Sequence, residues 1–251
     1  MKNTGAVYCV YDDSGFLAES VQRIYPLMDR IVFLVNFKPW QGEPNPAAYT
    51  RTMDIITALP DPDHKIEILS RFWATEAIQR NYGTWFLRQS GLEWCLIIDD
   101  DELYNVKQLE WAINSVDLSQ HACYLFAHQI YWKRRDLVVD MDSFAVPCII
   151  STEENLVQFN ENRMVIVYKG KTWTAVPREN IICHHMSFVR TDEQMLRKIN
   201  TFSHAHQVVP SWYEEKWLKW TTDMTDLHPT GPSGFRKVIS ADTAAYKLEA
   251  V

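Results

Sequence analysis

The 251-residue chain is easiest to bound by what it lacks. It holds no CxxC pair. Its five cysteines, Cys9, Cys95, Cys123, Cys148 and Cys183, are an odd number, and four of them sit inside apolar, strand-like runs. That argues against a disulfide framework or a zinc ribbon and for reduced core thiols. There is no basic excess: the formal net charge is -7, and the longest basic cluster is Lys133-Arg134-Arg135. Nothing in the overall field invites nucleic acid or an anionic membrane. No apolar run approaches the length of a membrane span, and the opening MKNTGAVYCVYDD has no apolar signal-peptide core. No internal repeat, low-complexity tract or Gly/Ser-rich linker divides the chain. The expectation is one cytoplasmic domain over 1–251, with no transmembrane segment.

What is present is aromatic and periodic. Aromatic residues make up 13% of the chain, with ten tryptophans, which suits a heavy core or platforms for flat ligands. Strand-like runs such as Ala6 to Tyr11 and Arg30 to Asn36 alternate with helical spacing at Leu17, Val21 and Ile24 and again near Tyr49 to Leu59. Ile78, Tyr82, Trp85 and Phe86 fall on one apolar helical stripe, with Gly91 just past its end. Strands apolar on both faces and separated by helices predict an α/β fold with a parallel sheet covered on each side. The second half reads as strands at Ala122 to Trp132 and Met164 to Lys169, followed by two C-terminal helices. Thr191 with Gln194, and Ser211 with Glu214, have the spacing of capping boxes for those helices. The tail from 227 to 251 reads as loop.

One stretch carries chemistry. In WCLIIDDDELY, Trp94 to Tyr104, an apolar run ends in Asp99, Asp100, Asp101 and Glu102. Four adjacent carboxylates repel one another, and none is buried cheaply without a partner. Ligands of open α/β sheets bind at the carboxyl ends of the strands, where these acids fall. Side chains alternate along an extended segment, so Asp99 and Asp101 can share a site while Asp100 faces away. Such a pair suits Mn²⁺ or Mg²⁺, hard cations that bridge carboxylates to a diphosphate.

In this context WCLIIDDDE resembles the W-x-L-x-x-D-x-D-E segment of GT-A glycosyltransferases, particularly the family 2-like enzymes of bacteria and viruses. CHHMSFVRTDEQMLRKINTFSHA resembles the H-x-S-x-V-R segment of some members. The resemblance implies a GT-A-like, Rossmann-type, mostly parallel sheet flanked by helices. It implies a donor half over about 1–104, an acceptor-side half over about 105–226, and a nucleotide-sugar donor with Mn²⁺ or Mg²⁺. Carried over by position, Asp101 binds the metal, and Asp99 reaches the metal or the donor ribose. Glu102 orients its neighbours. Asp100 is kept among the donor-side candidates.

Further candidates surround these. Tyr11, Asp12 and Asp13 follow the first strand, where the family cups the nucleobase; as a turn or helix-cap cluster they are equally ordinary. Arg80 and Asn81 match an R-N pair of the family pattern and otherwise read as surface ion-pair residues. His184 and His185 are adjacent on a strand, so at most one enters a given site. Register with H-x-S-x-V-R favours His185 as a metal ligand, with Arg190 and Lys198 on the diphosphate. Asp140 and Asp142 are the candidates for the base of an inverting transfer. The acceptor is open: glycan, lipid-linked sugar, protein or modified nucleic acid. Metal-dependent phosphoryl chemistry and sugar binding without catalysis are the competing readings.

Overall fold

The computed structural model describes residues 3–12, 14–141, 144–160, 163–241 and 247–249. Two of the sequence candidates, Asp13 and Asp142, lie outside the described residues. The first half is four parallel strands, β1 (Thr4–Val10), β2 (Arg30–Asn36), β3 (Ile66–Arg71) and β4 (Trp94–Ile98), in the spatial order β3-β2-β1-β4. β1 and β4 are buried throughout and β2 over all but its first residue, as the continuous apolar runs require of strands covered on both faces. The connecting helices are α1 (Leu17–Ile24), α2 (Pro46–Thr57) and α3 (Glu76–Gln89). Helix α2 begins before Tyr49 because Asn45-Pro46 is a start signal: the Asn45 side chain accepts from the Ala48 N–H and Pro46 takes the first turn.

Helix α3 corrects the expected apolar stripe. Ile78 and Trp85 are about half exposed, at 52% and 49%, while Gln79, Arg80, Gly83, Thr84 and Leu87 are buried. Gly83 sets this face: a Cβ there would stand 2.5 Å from Val7 and 3.0 Å from Leu34, so the helix lies directly on β1 and β2. That seating turns Arg80 inward, toward the end of β4.

The second half adds antiparallel pairing. After α4 (Val106–Ser115), the long strand β6 (His121–Trp132) pairs antiparallel with β7 (Arg134–Asp140) and β8 (Ala145–Ser151), and β8 joins β4. The hairpin β9 (Val157–Phe159) and β10 (Val165–Val167) stands apart as a two-stranded ribbon. Along β6 run β11 (Thr172–Ala175) and β12 (Ile182–Phe188), both parallel to it. The short β5 (Glu102–Leu103), immediately after the three aspartates, pairs antiparallel with β12 so that Glu102 opposes His185 and Leu103 opposes His184. The acidic segment is thereby stitched to the histidine strand.

Helix α5 (Asp192–Thr201) carries the expected capping box, with Thr191 and Gln194 each accepting from the other's backbone N–H. The second expected box does not form. Ser211 has a left-handed φ of 60°, and the chain winds into a short π-type helix, Tyr213–Leu218, with no side-chain cap. Its tryptophans, Trp212 and Trp217, pack with Trp132 and Phe188 in a separate aromatic cluster. The tail contributes β13 (Lys237–Ser240), which pairs antiparallel with β7. All five cysteines are free and buried. No helix among the described residues is long and apolar enough to cross a membrane.

Candidate functional site

A cavity of about 360 Å³ opens at the carboxyl end of the parallel strands and is lined by Asp99, Asp100, Asp101, Arg80, His185, Arg190 and Lys198. The acids are answered by the protein's own cations. Asp101 is buried and its two oxygens are divided. Oδ1 lies 3.0 Å from His185 Nε2, while Oδ2 accepts from Arg190 at 2.9 Å and Lys198 at 3.1 Å. Burial alone would raise the Asp101 carboxyl, but Lys198, His185 and Arg190 outweigh it and hold it well below the usual carboxylate range. Lys198 is itself pulled down, by burial first and by Arg190, and is held in place by the Ser187 hydroxyl at 2.7 Å.

Asp99 turns to a second cationic group. It accepts from Arg80 at 3.0 Å and from Arg163 at 3.2 Å, and these guanidiniums lower its pKa against the burial that would raise it. Arg163 escapes sequence reasoning because no motif surrounds it. It is buried just before β10, in a left-handed conformation of φ 58° that costs about 1–2 kcal/mol for a residue with a Cβ. From there it bonds both carboxylate oxygens of Glu102 and the carbonyls of Ile97 and Pro147. Glu102 is fully buried and its carboxyl is pushed up by burial in spite of Arg163. It also accepts from the Asp99 N–H, 3.2 Å away, and so orients that aspartate. Asp100 accepts from the Ser14 N–H at 2.6 Å, which ties the acidic turn to the end of β1.

The two histidines part company. His185 meets Asp101, whereas His184 is buried on the other side with Nδ1 2.9 Å from the Tyr131 hydroxyl. Burial, followed by Arg23 and Arg178, lowers His184 to about 3.

Tyr11 and Asp12, just beyond β1, also line the cavity. The Asn45 N–H donates to the Tyr11 hydroxyl at 2.8 Å, and Asp12 accepts from Arg197 of α5 at 2.9 Å. Arg80 belongs to the cavity, with Glu76 as its other partner. Asn81 does not line it; its amide bonds the Phe159 backbone in both directions and holds β9 against α3. Asp140 is not brought there either. It bonds Arg236 at 3.2 Å on the β7–β13 edge.

The donor set fits a divalent ion. Two cis ligands at about 2.1 Å from an octahedral ion stand about 3 Å apart, which is the Asp101–His185 separation. His185 Nε2 donates to the Asp101 carboxylate, and Nδ1 is buried without a partner among the described residues, so a metal bound at Nε2 would require the proton to leave or to move to Nδ1. Glu102, His128 and His185 also present ligand atoms within 4.8 Å of one another. In both sets the carboxylates are already engaged by the protein's own cations, Glu102 by Arg163 and Asp101 by Arg190 and Lys198, and His185 belongs to both.

No protein-family model matches the chain, and no curated protein matches it in sequence. Its structure is similar to solved ones. One is described as "GalNAc-T7 with UDP, GalNAc and Mn2+", with a TM-score of 0.50, 9% identity, and coverage of 79% of this chain and 48% of that one. The chain thus spans about half the length of that protein. A second is a mannose-1-phosphate geranyltransferase from Thermus thermophilus, with a TM-score of 0.35, 12% identity, and coverage of 61% of this chain and 51% of that one. The order β3-β2-β1-β4, the acids at the end of β4 and the first of these likenesses agree on one architecture: the chain has a GT-A-like fold.

Proposed function

We propose that this protein is a metal-dependent glycosyltransferase that moves a sugar from a nucleotide-diphosphate sugar to an acceptor hydroxyl. The observation that supports this best is the Asp101–His185 pair, flanked by Arg190 and Lys198, at the carboxyl end of β4 in a GT-A-like fold. Asp101 and His185 would hold Mn²⁺ or Mg²⁺, with Asp99 close by. A bound metal would supply positive charge to the diphosphate as the glycosidic bond breaks. Imidazole in the donor set favours Mn²⁺ over Mg²⁺.

The remaining work falls to the chain's own groups. Arg190 and Lys198, which line the cavity while bonded to Asp101, would stabilise a leaving diphosphate as charge develops on it. Tyr11 and Asp12 serve the nucleoside end. Glu102 and Arg163, fully enclosed, keep Asp99 aligned. Transfer with inversion needs a carboxylate base, and Asp142 is the candidate retained for it.

A thermal-shift panel of nucleotide sugars with and without Mn²⁺ tests the reading, since a ligand that binds only the folded state raises apparent stability. A shift that needs both a nucleotide sugar and Mn²⁺, and that disappears in Asp101→Asn, is the expected result. Cleavage of DNA or RNA with no response to any donor would favour phosphoryl chemistry. Glycan binding that ignores Mn²⁺ and shows no donor turnover would favour a sugar-binding module.

A further inference from the structure

The tail from Leu227 to Phe235 reads from sequence as loop, yet His228, Pro229 and Phe235 line the same cavity as the acids. His228 is held firmly there. Its Nδ1 accepts from two backbone donors, the Thr230 N–H at 3.2 Å and the Gly231 N–H at 3.1 Å. A nitrogen that accepts two amide hydrogens carries no proton itself, so in the neutral ring the proton belongs to Nε2. The ring is further fixed by Phe235, edge-on with centroids 4.5 Å apart, and by Phe188 at 6.3 Å. Its Nδ1 edge is turned into the 230–231 turn, so the edge left to the cavity carries Nε2, which has no hydrogen-bond partner among the described residues. Burial keeps the imidazole neutral by lowering it to about 4, with His204 adding to the effect.

A fixed N–H beside apolar rings has one chemistry. It donates to an oxygen, while Phe188 and Phe235, buried against Trp132, Trp212 and the imidazole itself, hold the ring in place. Tyr11 and Asp12, assigned above to the nucleoside, line the same cavity from the end of β1. We infer that His228, held in place by Phe188 and Phe235, forms a subsite in which Nε2–H donates to a hydroxyl of a substrate sugar. His228 is therefore a specificity residue and not the general base, because its free nitrogen already holds the proton. The inference rests on the glycosyltransferase reading, and the hydroxyl belongs either to the donor's sugar or to an acceptor glycan.

The test uses His228→Asn in the full chain. An asparagine Oδ1 can still accept from the N–H two residues on, so the turn survives while the shorter amide stops short of the Nε2 position. The probes are the nucleotide sugar found by the donor panel, the matching nucleoside diphosphate, and a panel of free oligosaccharides as acceptors. Affinity for the nucleoside diphosphate should be unchanged in every case. If the hydroxyl is the donor's, His228→Asn weakens the nucleotide sugar about 3- to 10-fold, the range of one hydrogen bond. If it is the acceptor's, nucleotide-sugar affinity and slow hydrolysis are preserved, and KM for the best acceptor rises by the same factor. Equal loss of nucleoside diphosphate and nucleotide sugar, or no change in any of the three, overturns the inference while leaving the glycosyltransferase reading intact. A wild-type chain that binds no nucleotide sugar loses both. If His228→Asn fails to fold, ¹⁵N-histidine NMR of the wild type decides: His228 must show the Nε2–H pattern, and its Nε2 signal must move on binding the nucleotide sugar or the acceptor. A protonated Nδ1, or an Nε2 signal indifferent to both, sinks the assignment.

Discussion

His185 Nε2 stands 3.0 Å from Asp101 Oδ1, although 84 positions separate the two residues. The backbone fixes this proximity. Glu102 and His185 are register partners in the β5–β12 ladder, and the Met186 N–H donates to the Asp101 carbonyl at 2.7 Å. The pair would therefore persist through changes in the surrounding side chains, which makes the contribution of each neighbour separately measurable.

Four adjacent acids suggest mutual repulsion, but each aspartate is individually answered in the fold. Asp101→Asn leaves Arg190 and Lys198 facing each other without a counter-charge. The expected effect on the protein without ligands is a loss of about 1–3 kcal/mol, the cost of leaving a buried charged partner unmatched. Urea unfolding at neutral pH measures it, and a gain in stability would show that repulsion among the acids dominates after all.

Arg163 and Glu102 form the most enclosed ion pair of the site, with side chains 8% and 0% exposed. Arg163→Met strands Glu102 in an apolar surrounding and should cost about 3–5 kcal/mol. Adding Glu102→Gln removes the stranded charge, so the double variant should recover a large part of the loss. A double-mutant cycle by chemical denaturation reads the coupling; strict additivity would mean that the two groups act independently.

Acid should loosen the fold through His184. Its folded pKa of about 3 lies below the unfolded value of about 6.5, so between those limits the unfolded chain binds a proton that the folded chain refuses. Stability is therefore unaffected above about pH 6.5 and falls as pH drops from there toward 3. At pH 5 the shift amounts to about 2 kcal/mol for this residue, from 1.36 kcal/mol per pKa unit. His184→Gln keeps a polar partner for Tyr131 without titrating. Its stability difference between pH 7.5 and pH 5 should be smaller than that of the wild type by about this amount, and an identical pH slope would contradict the assignment.

Local signals carried the fold much further than the site. The buried strands, the Thr191–Gln194 cap and the acids at the end of β4 each follow from residues within one short window. Helix α3 misled because its seating is decided by Gly83 against Val7 and Leu34, contacts with other elements that outvote its apolar stripe. Arg163 and His228 were invisible for the same reason. Each reaches the cavity from a turn, and a turn's destination is set by long-range packing. Asn81 and Arg80 are neighbours in a motif-like pair, yet one helical step points the first at β9 and the second at Asp99.

Lys198 offers the sharpest separation of structure from chemistry. It donates to Asp101 at 3.1 Å and to the Ser187 hydroxyl at 2.7 Å, so it is already positioned without a substrate. If it only neutralises Asp101, then Lys198→Met should lower stability, and the double variant with Asp101→Asn should recover it. Any loss of turnover would then follow the loss of folded protein. If it also stabilises a departing diphosphate, turnover by fully folded Lys198→Met should fall about 10²–10³-fold, the range for removing one positioned donor from developing charge. The drop should appear in kcat more than in KM, because the interaction strengthens as the bond breaks. Asp140→Asn is the companion control. Its carboxylate is engaged with Arg236 on the β7–β13 edge, away from the cavity lining, and turnover should stay within about twofold of wild type, as for surface changes that touch no reacting group. Donor turnover measured by nucleotide release, with folded fraction checked by circular dichroism, reads both variants. A Lys198→Met enzyme with normal kcat would confine this lysine to charge balance.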